Sequence, residues 1–467
     1  MRVELSPATR VRGEVDLPGD KGISQRALLL AALAEGESTI VGRAVGEDQD
    51  AMVRCLRALG VAIEDGPAED PVTAGGGRPG AGQAGQGERA RGRDLRPVAA
   101  AIPVTRVRGV GLRGFRTPDG PLDCGNSGAT MRFLIGALAA MPGVEATLVG
   151  DASLTRRPME RVAAPLRHMG ARIETSPGGT APVRVRGTLL EGAFLELEVA
   201  SAQVKTAVLL AALNAHGPTT LREPAFTRDH TERFLRRLGV DVEFHQEARI
   251  QPPRSLPAFT AEIPGDPSSA AFWAVLAAIH PDAELTLRGV CVNPSRTGFS
   301  RVLSRMGARL DVRGVRDMGG EPVADLVVRG GAPLRAVEVV PDEVPGLVDE
   351  VPVLAVAAAF GAGGESRFRG LAELRVKEVD RLDAIAEELE KLGAPVGVVD
   401  HDLVVGGGAA LHGATFDSRG DHRIAMAMAV AASAAAGGSA IEGAEAANVS
   451  YPRFWEELAR VTATETV

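Results

Sequence analysis

Polar residues capable of chemistry recur at one kind of place in this chain, the start of an apolar run. They are Lys21-Gly-Ile-Ser-Gln-Arg26, Gly125-Asn-Ser-Gly128, Ser201-Ala-Gln-Val-Lys205, Gly265-Asp-Pro-Ser-Ser269, Asp349-Glu350 and Gly420-Asp-His-Arg423. If the runs are helices, each cluster lies at a helix N-terminus, where unpaired N–H groups and a partial positive charge receive phosphates and carboxylates. Several such ends facing one cleft would make an anion site. The plainer reading is that Ser, Asp and Asn are N-caps, and for Asp266 with Ser268 and Ser269 the two readings weigh the same. Capping does not account for the cations Lys21, Arg26, Lys205 and Arg423. The lysines carry extra weight, because the chain uses arginine almost throughout and has only four lysines, Lys21, Lys205, Lys377 and Lys391. Biased composition explains any one of them, but a retained lysine also suits a site that wants a compact ammonium able to release a proton.

The elements that must carry these clusters repeat. Six times an alanine-rich apolar segment is followed by a small-residue stop and a short β-like run: 26–34 before Ser38–Val41, 131–140 before Ala146–Val149, 204–213 before Thr219–Leu221, 271–279 before Glu284–Leu287, 351–360 before Ser366–Phe368, and 424–435 before Ser439–Ile441. Five units continue into an amphipathic helix that ends in Leu/Met-Gly at Gly60, Gly170, Gly239, Gly307 and Gly393, the residue a helix end favours before the chain turns into a strand. The sixth unit ends with Phe454-Trp-Glu-Glu-Leu458. Gly170 to Gly239 is 69 residues and Gly239 to Gly307 is 68, too long a period for a thin solenoid. Gly60 to Gly170 is longer because of a Gly-rich insertion near 66–102. Within it, Ala74 to Arg93 holds eight glycines and no Val, Ile, Leu, Phe or Met, which reads as a surface insertion rather than a lid. Gly307 to Gly393 is 86 residues, with extra turn material expected around Gly314 to Gly331.

Composition excludes several classes. With 467 residues, 45% of them apolar and 24% charged, the chain has material for two or three packed domains. A net charge of −8 is the wrong sign for gripping nucleic acid over a broad face, so any anion site must be local. Cys55, Cys124 and Cys291 are widely spaced and odd in number, which supports neither a disulfide framework nor a zinc ribbon and suits a reducing compartment. No signal-peptide pattern or run of eighteen apolar residues occurs, so a cytoplasmic protein without membrane contact is expected. No G-x-x-x-x-G-K-[ST] is present, which removes a nucleotide-binding P-loop.

At this point the residues resemble a known family. Leu17-Pro-Gly-Asp-Lys-Gly-Ile-Ser-Gln-Arg-Ala27, Asp123-Cys-Gly-Asn-Ser-Gly128 with Met131-Arg132, Gly150-Asp151 with Arg157-Pro-Met159, and Ser201-Ala-Gln203 are similar to successive signatures of the 5-enolpyruvylshikimate-3-phosphate synthases. So are Gly265-Asp-Pro-Ser-Ser269, Asn293-Pro294 with Arg296-Thr-Gly298, Arg375-Val-Lys-Glu-Val-Asp-Arg-Leu382 and Asp421-His-Arg423. The resemblance runs in order over nearly the whole chain. It implies an α/β fold, a two-domain inside-out α/β barrel in which each domain is three βαβαββ repeats around an interdomain cleft. The domains would be 21–264 and 1–20 plus 265–467.

It also implies a reaction, the transfer of the carboxyvinyl group of phosphoenolpyruvate to the 5-hydroxyl of shikimate 3-phosphate, with no cofactor and no metal, in a protein expected to be a monomer. By the same resemblance Asp349 is the base, with Lys21 and Glu378 as the other proton-transfer residues. Shikimate 3-phosphate would be held by Lys21, Gly22, Arg26, Ser201, Ala202, Gln203, Asp349 and Lys377. Phosphoenolpyruvate would be held by Lys21, Gly128, Arg157, Gln203, Arg381 and Arg423. The spacing of Lys377 and Arg381 predicts one face of a helix.

Two departures stand out. Gly22 occupies a place where the family usually has serine, and such a glycine could answer a need for positive φ. Val449 stands where some members carry a lysine. A related enolpyruvyl transferase acting on UDP-N-acetylglucosamine would need a cysteine within 151–157, and none is there. A non-catalytic anion-binding relative is disfavoured because Lys21, Asp349, Glu378 and the three arginines are all present.

Overall fold

A computed structural model describes residues 1–69, 102–245 and 247–462. The six alanine-rich segments form the helices Lys21–Leu33, Gly128–Ala139, Ala202–Ala212, Pro267–Ile279, Val351–Ala359 and His422–Ala434. They are apolar on all sides and almost wholly buried, so they are the inside of the molecule and the sheets are its outer layer. Each fully buried leucine along them, such as Leu28 or Leu29, contributes about 1.5–3 kcal/mol relative to exposure. The amphipathic helices Glu47–Ala58, Glu160–His168, His230–Arg237, Gly298–Met306, Arg381–Leu392 and Phe454–Thr462 each keep one buried face. Gly307 and Gly393 end two of them in the left-handed conformation, with φ of 92° and 91°.

The sheets share one plan. In the second unit, Leu122–Asp123 runs parallel to Glu145–Val149, Thr180–Arg186 is antiparallel to that strand, and Arg172–Ser176 closes the far edge. Five units repeat this order. The sixth sheet has three strands, and its antiparallel member is the first strand of the chain, Arg2–Leu5, on Ser439–Glu442.

Two strands are exchanged between units far apart in sequence. Val11–Asp16 lies parallel to Ala283–Cys291 in the fourth sheet, and Thr260–Glu262 lies parallel to Glu35–Val41 in the first. Between them the chain crosses twice, at Gly19 and Gly265, where Asp20 N–H donates to the Pro264 carbonyl (2.7 Å) and Asp266 N–H to the Pro18 carbonyl (3.0 Å). A Cβ on Gly19 would stand 2.1 Å from the Gly42 carbonyl oxygen, so this crossing requires glycine. Beside it the buried Arg296 guanidinium donates to Asp20 (2.6 Å) and Asp266 (2.9 Å). Burial raises the Asp20 carboxyl, but Arg296 and the Ile23 N–H it caps hold it below the ordinary range. One apolar cluster gathers residues from Ile23 to Ile263 with Cys291; the other gathers Val11, Val15 and residues from Ala270 to Val461.

Three local expectations are corrected. The stretch from Gly314 to Gly331 is mostly a long hairpin, Arg309–Met318 with Glu321–Arg329, turning at Gly319-Gly320. Of the insertion near 66–102, residues 66–69 continue the strand Ala62–Glu69, which pairs with Ile102–Val110; the rest, including Ala74 to Arg93, lies outside the described residues. Lys377 does not share a helical face with Arg381. Asp380 accepts from the N–H groups of Leu382 and Asp383, so the helix begins at Arg381 and Lys377 precedes it in extended backbone. Three buried cysteines are free, and no helix among the described residues is long and apolar enough to cross a membrane.

Candidate active site

The N-termini of the apolar helices converge on one cleft of about 390 Å³. Lys21, Gly22, Arg26, Arg157, Ser201, Ala202 and Gln203 line it from one side; Asp349, Lys377, Glu378, Arg381 and Arg423 line it from the other. Gly128 is buried just behind the wall. A Cβ there would stand 3.0 Å from Arg132 Nη1 and 3.3 Å from Arg157 Nη1, so any side chain would press on two guanidinium groups. Val449 is not on the wall.

Capping and chemistry prove to be separate tasks for most clusters. Asp20, Ser127, Ser201, Asp266 and Asp421 cap their helices through side-chain hydrogen bonds. Asp349 does not. Its Oδ2 accepts from Arg228 Nη2 at 2.7 Å across the cleft, and its Oδ1 accepts from Lys377 Nζ at 3.1 Å and Arg381 Nη1 at 3.5 Å. Glu350 is the cap position but makes no capping bond, and accepts from Ser268 Oγ instead. Burial raises the Asp349 carboxyl, yet Lys377, Arg228, Arg423 and Arg381 together hold it well below the usual range. Glu378 is held down likewise, against burial, by Arg381, Arg157 and Lys21. Its Oε2 accepts from Arg381 Nη2 (2.6 Å), and Arg157 approaches its other oxygen at 3.8 Å. Burial and the cations Arg423, Lys21 and Arg381 push His422 well below its ordinary pKa, so it is a neutral imidazole. Lys21 pairs with the buried Asp48, and Gln203 accepts from Arg132.

These depressed carboxyls give a pH expectation with a definite sign. A carboxyl whose folded pKa lies below its unfolded value of ~4 contributes stability that is full above that value and is lost as pH falls through the folded pKa. Asp349→Asn is therefore expected to melt a few degrees below the unmodified chain at pH 7, with the gap closing below pH ~4. A gap that stays constant down to pH 3 in calorimetry would show that the cations around Asp349 do not stabilise its charge.

Charge is unevenly spread. Ten cationic side chains line the cleft against four carboxylates, in a chain of net charge −8. Arg132, Arg157 and Arg423 each leave a buried Nε–H without a partner among the described residues. Burial, Arg161 and Arg157 push Arg132 down to about 9, the mark of a cation short of counter-charge. Such a site is completed by anions with several oxygens. No group of His, Cys, Asp and Glu among the described residues is arranged to hold a metal ion.

Sequence reasoning gave no role to Arg132, Arg296 and His422, although each lies inside a quoted motif. It missed Arg228, Arg161 and Asp48 altogether. Arg161 donates across the cleft to Glu373 (3.1 Å). Nothing local marks these residues, because their partners are distant in the chain.

Comparison with known proteins places the chain as a whole. The family described as EPSP synthase (3-phosphoshikimate 1-carboxyvinyltransferase) matches residues 5–110 and 93–458. A 3-phosphoshikimate 1-carboxyvinyltransferase of Synechococcus sp. (strain WH7803) is 46% identical over 463 residues, covering 98% of each chain. One from Roseiflexus sp. (strain RS-1) is 46% identical over 466 residues, covering 99% of each. Among solved structures, EPSP synthase from Acinetobacter baumannii superposes with a TM-score of 0.80 at 35% identity, over 99% of this chain and 98% of that one. An enolpyruvyl transferase from Streptomyces tendae shares the fold, with a TM-score of 0.74 at 21% identity. With matches of this extent in sequence and in fold, the chain belongs to the EPSP synthase family.

Proposed function

We propose how this cleft carries out the family's reaction, the transfer of the carboxyvinyl group of phosphoenolpyruvate to the 5-hydroxyl of shikimate 3-phosphate with release of phosphate. Shikimate 3-phosphate lies against Lys21, Gly22, Arg26, Ser201, Ala202, Gln203, Asp349 and Lys377. Phosphoenolpyruvate lies against Lys21, Gln203, Arg157, Arg381 and Arg423, with Gly128 leaving room for the arginines. The observation that carries the reading is the cation excess together with the unpartnered guanidinium N–H groups of Arg132, Arg157 and Arg423, which two polyanions satisfy.

Asp349 takes the proton of the 5-hydroxyl as its oxygen adds to C2, and Lys21 or Glu378 delivers a proton to C3. Elimination of phosphate from C2 with loss of a proton from C3 restores the double bond. In the empty cleft Asp349 is a poor base and Glu378 an ionised carboxylate with no proton to give, since cations surround both. Bound phosphates and carboxylates draw those cations off, returning basicity to Asp349 and letting Glu378 carry a proton. Cleft closure moves 21–264 against 1–20 plus 265–467, and the Arg228–Asp349 and Arg161–Glu373 pairs support this division. The chain works in the cytoplasm, a reducing compartment that suits three unpaired buried cysteines, and as a monomer. Phosphate should appear when both substrates are supplied and not with either alone; binding without phosphate release would leave an anion-binding protein.

Gly22 gives a sharper test. It lies in the first turn of Lys21–Leu33 rather than at positive φ, so the backbone does not require glycine there. An added Cβ would stand 3.1 Å from Arg26 Nη1, the end of a side chain that must shift by a few tenths of an ångström. Gly22→Ser is expected to lower KM for shikimate 3-phosphate by up to about tenfold, one hydrogen bond to a charged group, with kcat nearly unchanged. A raised KM would mean that displacing Arg26 outweighs the new hydroxyl.

A further inference from the structure

Lys205 is one of only four lysines, and the reaction as assigned leaves it without a task. It lies in the first turn of Ala202–Ala212 but is 1% exposed and does not line the cleft. Its Nζ is 2.8 Å from Glu223 Oε2 and 2.8 Å from Glu232 Oε1, and it donates to the Thr227 carbonyl at 3.5 Å. These partners bracket a single loop. Glu223 follows the strand Thr219–Arg222, Thr227 stands midway, and Glu232 lies in the first turn of His230–Arg237. The Thr227 hydroxyl also donates to Glu223, tightening the same loop. That loop presents Thr227 and Arg228 on the cleft wall, and Arg228 reaches Asp349 in the other half at 2.7 Å.

A buried charge cluster of this kind costs desolvation and is a weak source of stability; what it can supply is a defined geometry. Burial opposes the Lys205 charge, but Glu232 and Glu223 more than offset it, so the ammonium stays protonated at neutral pH. The geometry it defines is that of 223–229. We propose that Lys205 is a positioning residue: by tying Glu223, the Thr227 carbonyl and Glu232 to one point, it sets the loop so that Arg228 faces Asp349 and the shikimate 3-phosphate between them. This rests on the substrate placement proposed above.

The test is a double-mutant cycle read in steady-state kinetics, with melting temperature as the control for folding. Glu223→Gln loosens the loop anchor while keeping the buried Lys205–Glu232 pair. Lys205→Met with Glu232→Gln removes the ammonium without stranding the fully buried Glu232 carboxylate, while Glu223, nearer the surface, keeps the Thr227 hydroxyl. Arg228→Ala is expected to raise KM for shikimate 3-phosphate by about tenfold, the loss of one charge-assisted contact. Glu223→Gln and the Lys205→Met/Glu232→Gln pair should each raise it by at least about threefold, leave KM for phosphoenolpyruvate unchanged, and add nothing in the Arg228→Ala background, as expected of residues acting through one group. If Arg228→Ala raises KM but the Glu223 and Lys205 changes multiply that effect in full, the role of Lys205 is overturned alone. If both leave KM unaltered in folded protein, it is overturned likewise. If Arg228→Ala leaves KM unchanged, Arg228 does not hold shikimate 3-phosphate and the role of Lys205 falls, whereas the substrate placement itself falls only if no phosphate is released from the two substrates.

Discussion

Asp349→Ala is expected to lower kcat by at least about 10²-fold, the usual scale for losing a positioned base, while the protein remains folded. Asp349 stands just before a helix it does not cap, so its loss leaves the Val351–Ala359 start intact. The alanine variant leaves Lys377, Arg228 and Arg381 facing a cleft that has lost their shared carboxylate. Substrate anions can occupy that field, so the loss should fall on kcat more than on KM for shikimate 3-phosphate. Asp349→Asn separates charge from shape: it keeps the side-chain volume but cannot accept the hydroxyl proton, and should lose kcat to the same degree. Glu378→Gln, which disturbs the Glu378–Arg381 pair more gently, should also lose at least about 10²-fold if Glu378 moves a proton. Asparagine at 349 with near-normal kcat would reduce Asp349 to a substrate ligand.

Lys21→Arg is the second large effect, an expected loss of at least about 10²-fold in kcat if this lysine is a proton donor. The substitution keeps the positive charge and the first helical position. A guanidinium does not release its proton in a protein, whereas an ammonium can. The geometry is also demanding, because Lys21 lines the cleft and its ammonium pairs with the buried Asp48. A planar fork reaches farther and would crowd the phosphoenolpyruvate space. Comparing single-turnover rates with substrate dissociation constants separates the two causes. Tight binding with slow chemistry is the signature of the missing proton, and unimpaired chemistry in Lys21→Arg would leave that residue an anion ligand only.

The amino-acid sequence by itself determined the local order of this protein. The six apolar helices are legible because uninterrupted Ala/Leu/Val runs admit only a buried helix, and their partners are legible because an amphipathic period stops at a glycine such as Gly307 or Gly393. The clusters at the helix starts are legible for the same reason, since a cap, a cation and a glycine within a few residues are a short-range pattern. Through resemblance they also named twelve residues that the fold brings to the cleft, from Lys21 to Arg423.

Only the tertiary structure decided what depends on contacts between distant residues. The exchange of Val11–Asp16 and Thr260–Glu262 pairs strands more than 200 residues apart, which no local periodicity encodes. The extended backbone at Lys377 follows from Asp380 capping a helix that begins only at Arg381, a choice that residue spacing alone leaves open. Asp349 shows the division most clearly: in sequence it can also be read as a cap, and it becomes a buried carboxylate among cations only when Arg228, 121 residues away, meets it across the cleft. Lys205 stood out as a rare lysine, but its meaning required Glu223 and Glu232 to fold back onto it. Helix formation and capping are set by interactions within a turn or two, whereas the charge of a site is the sum of groups that only the closed chain brings within a few ångströms.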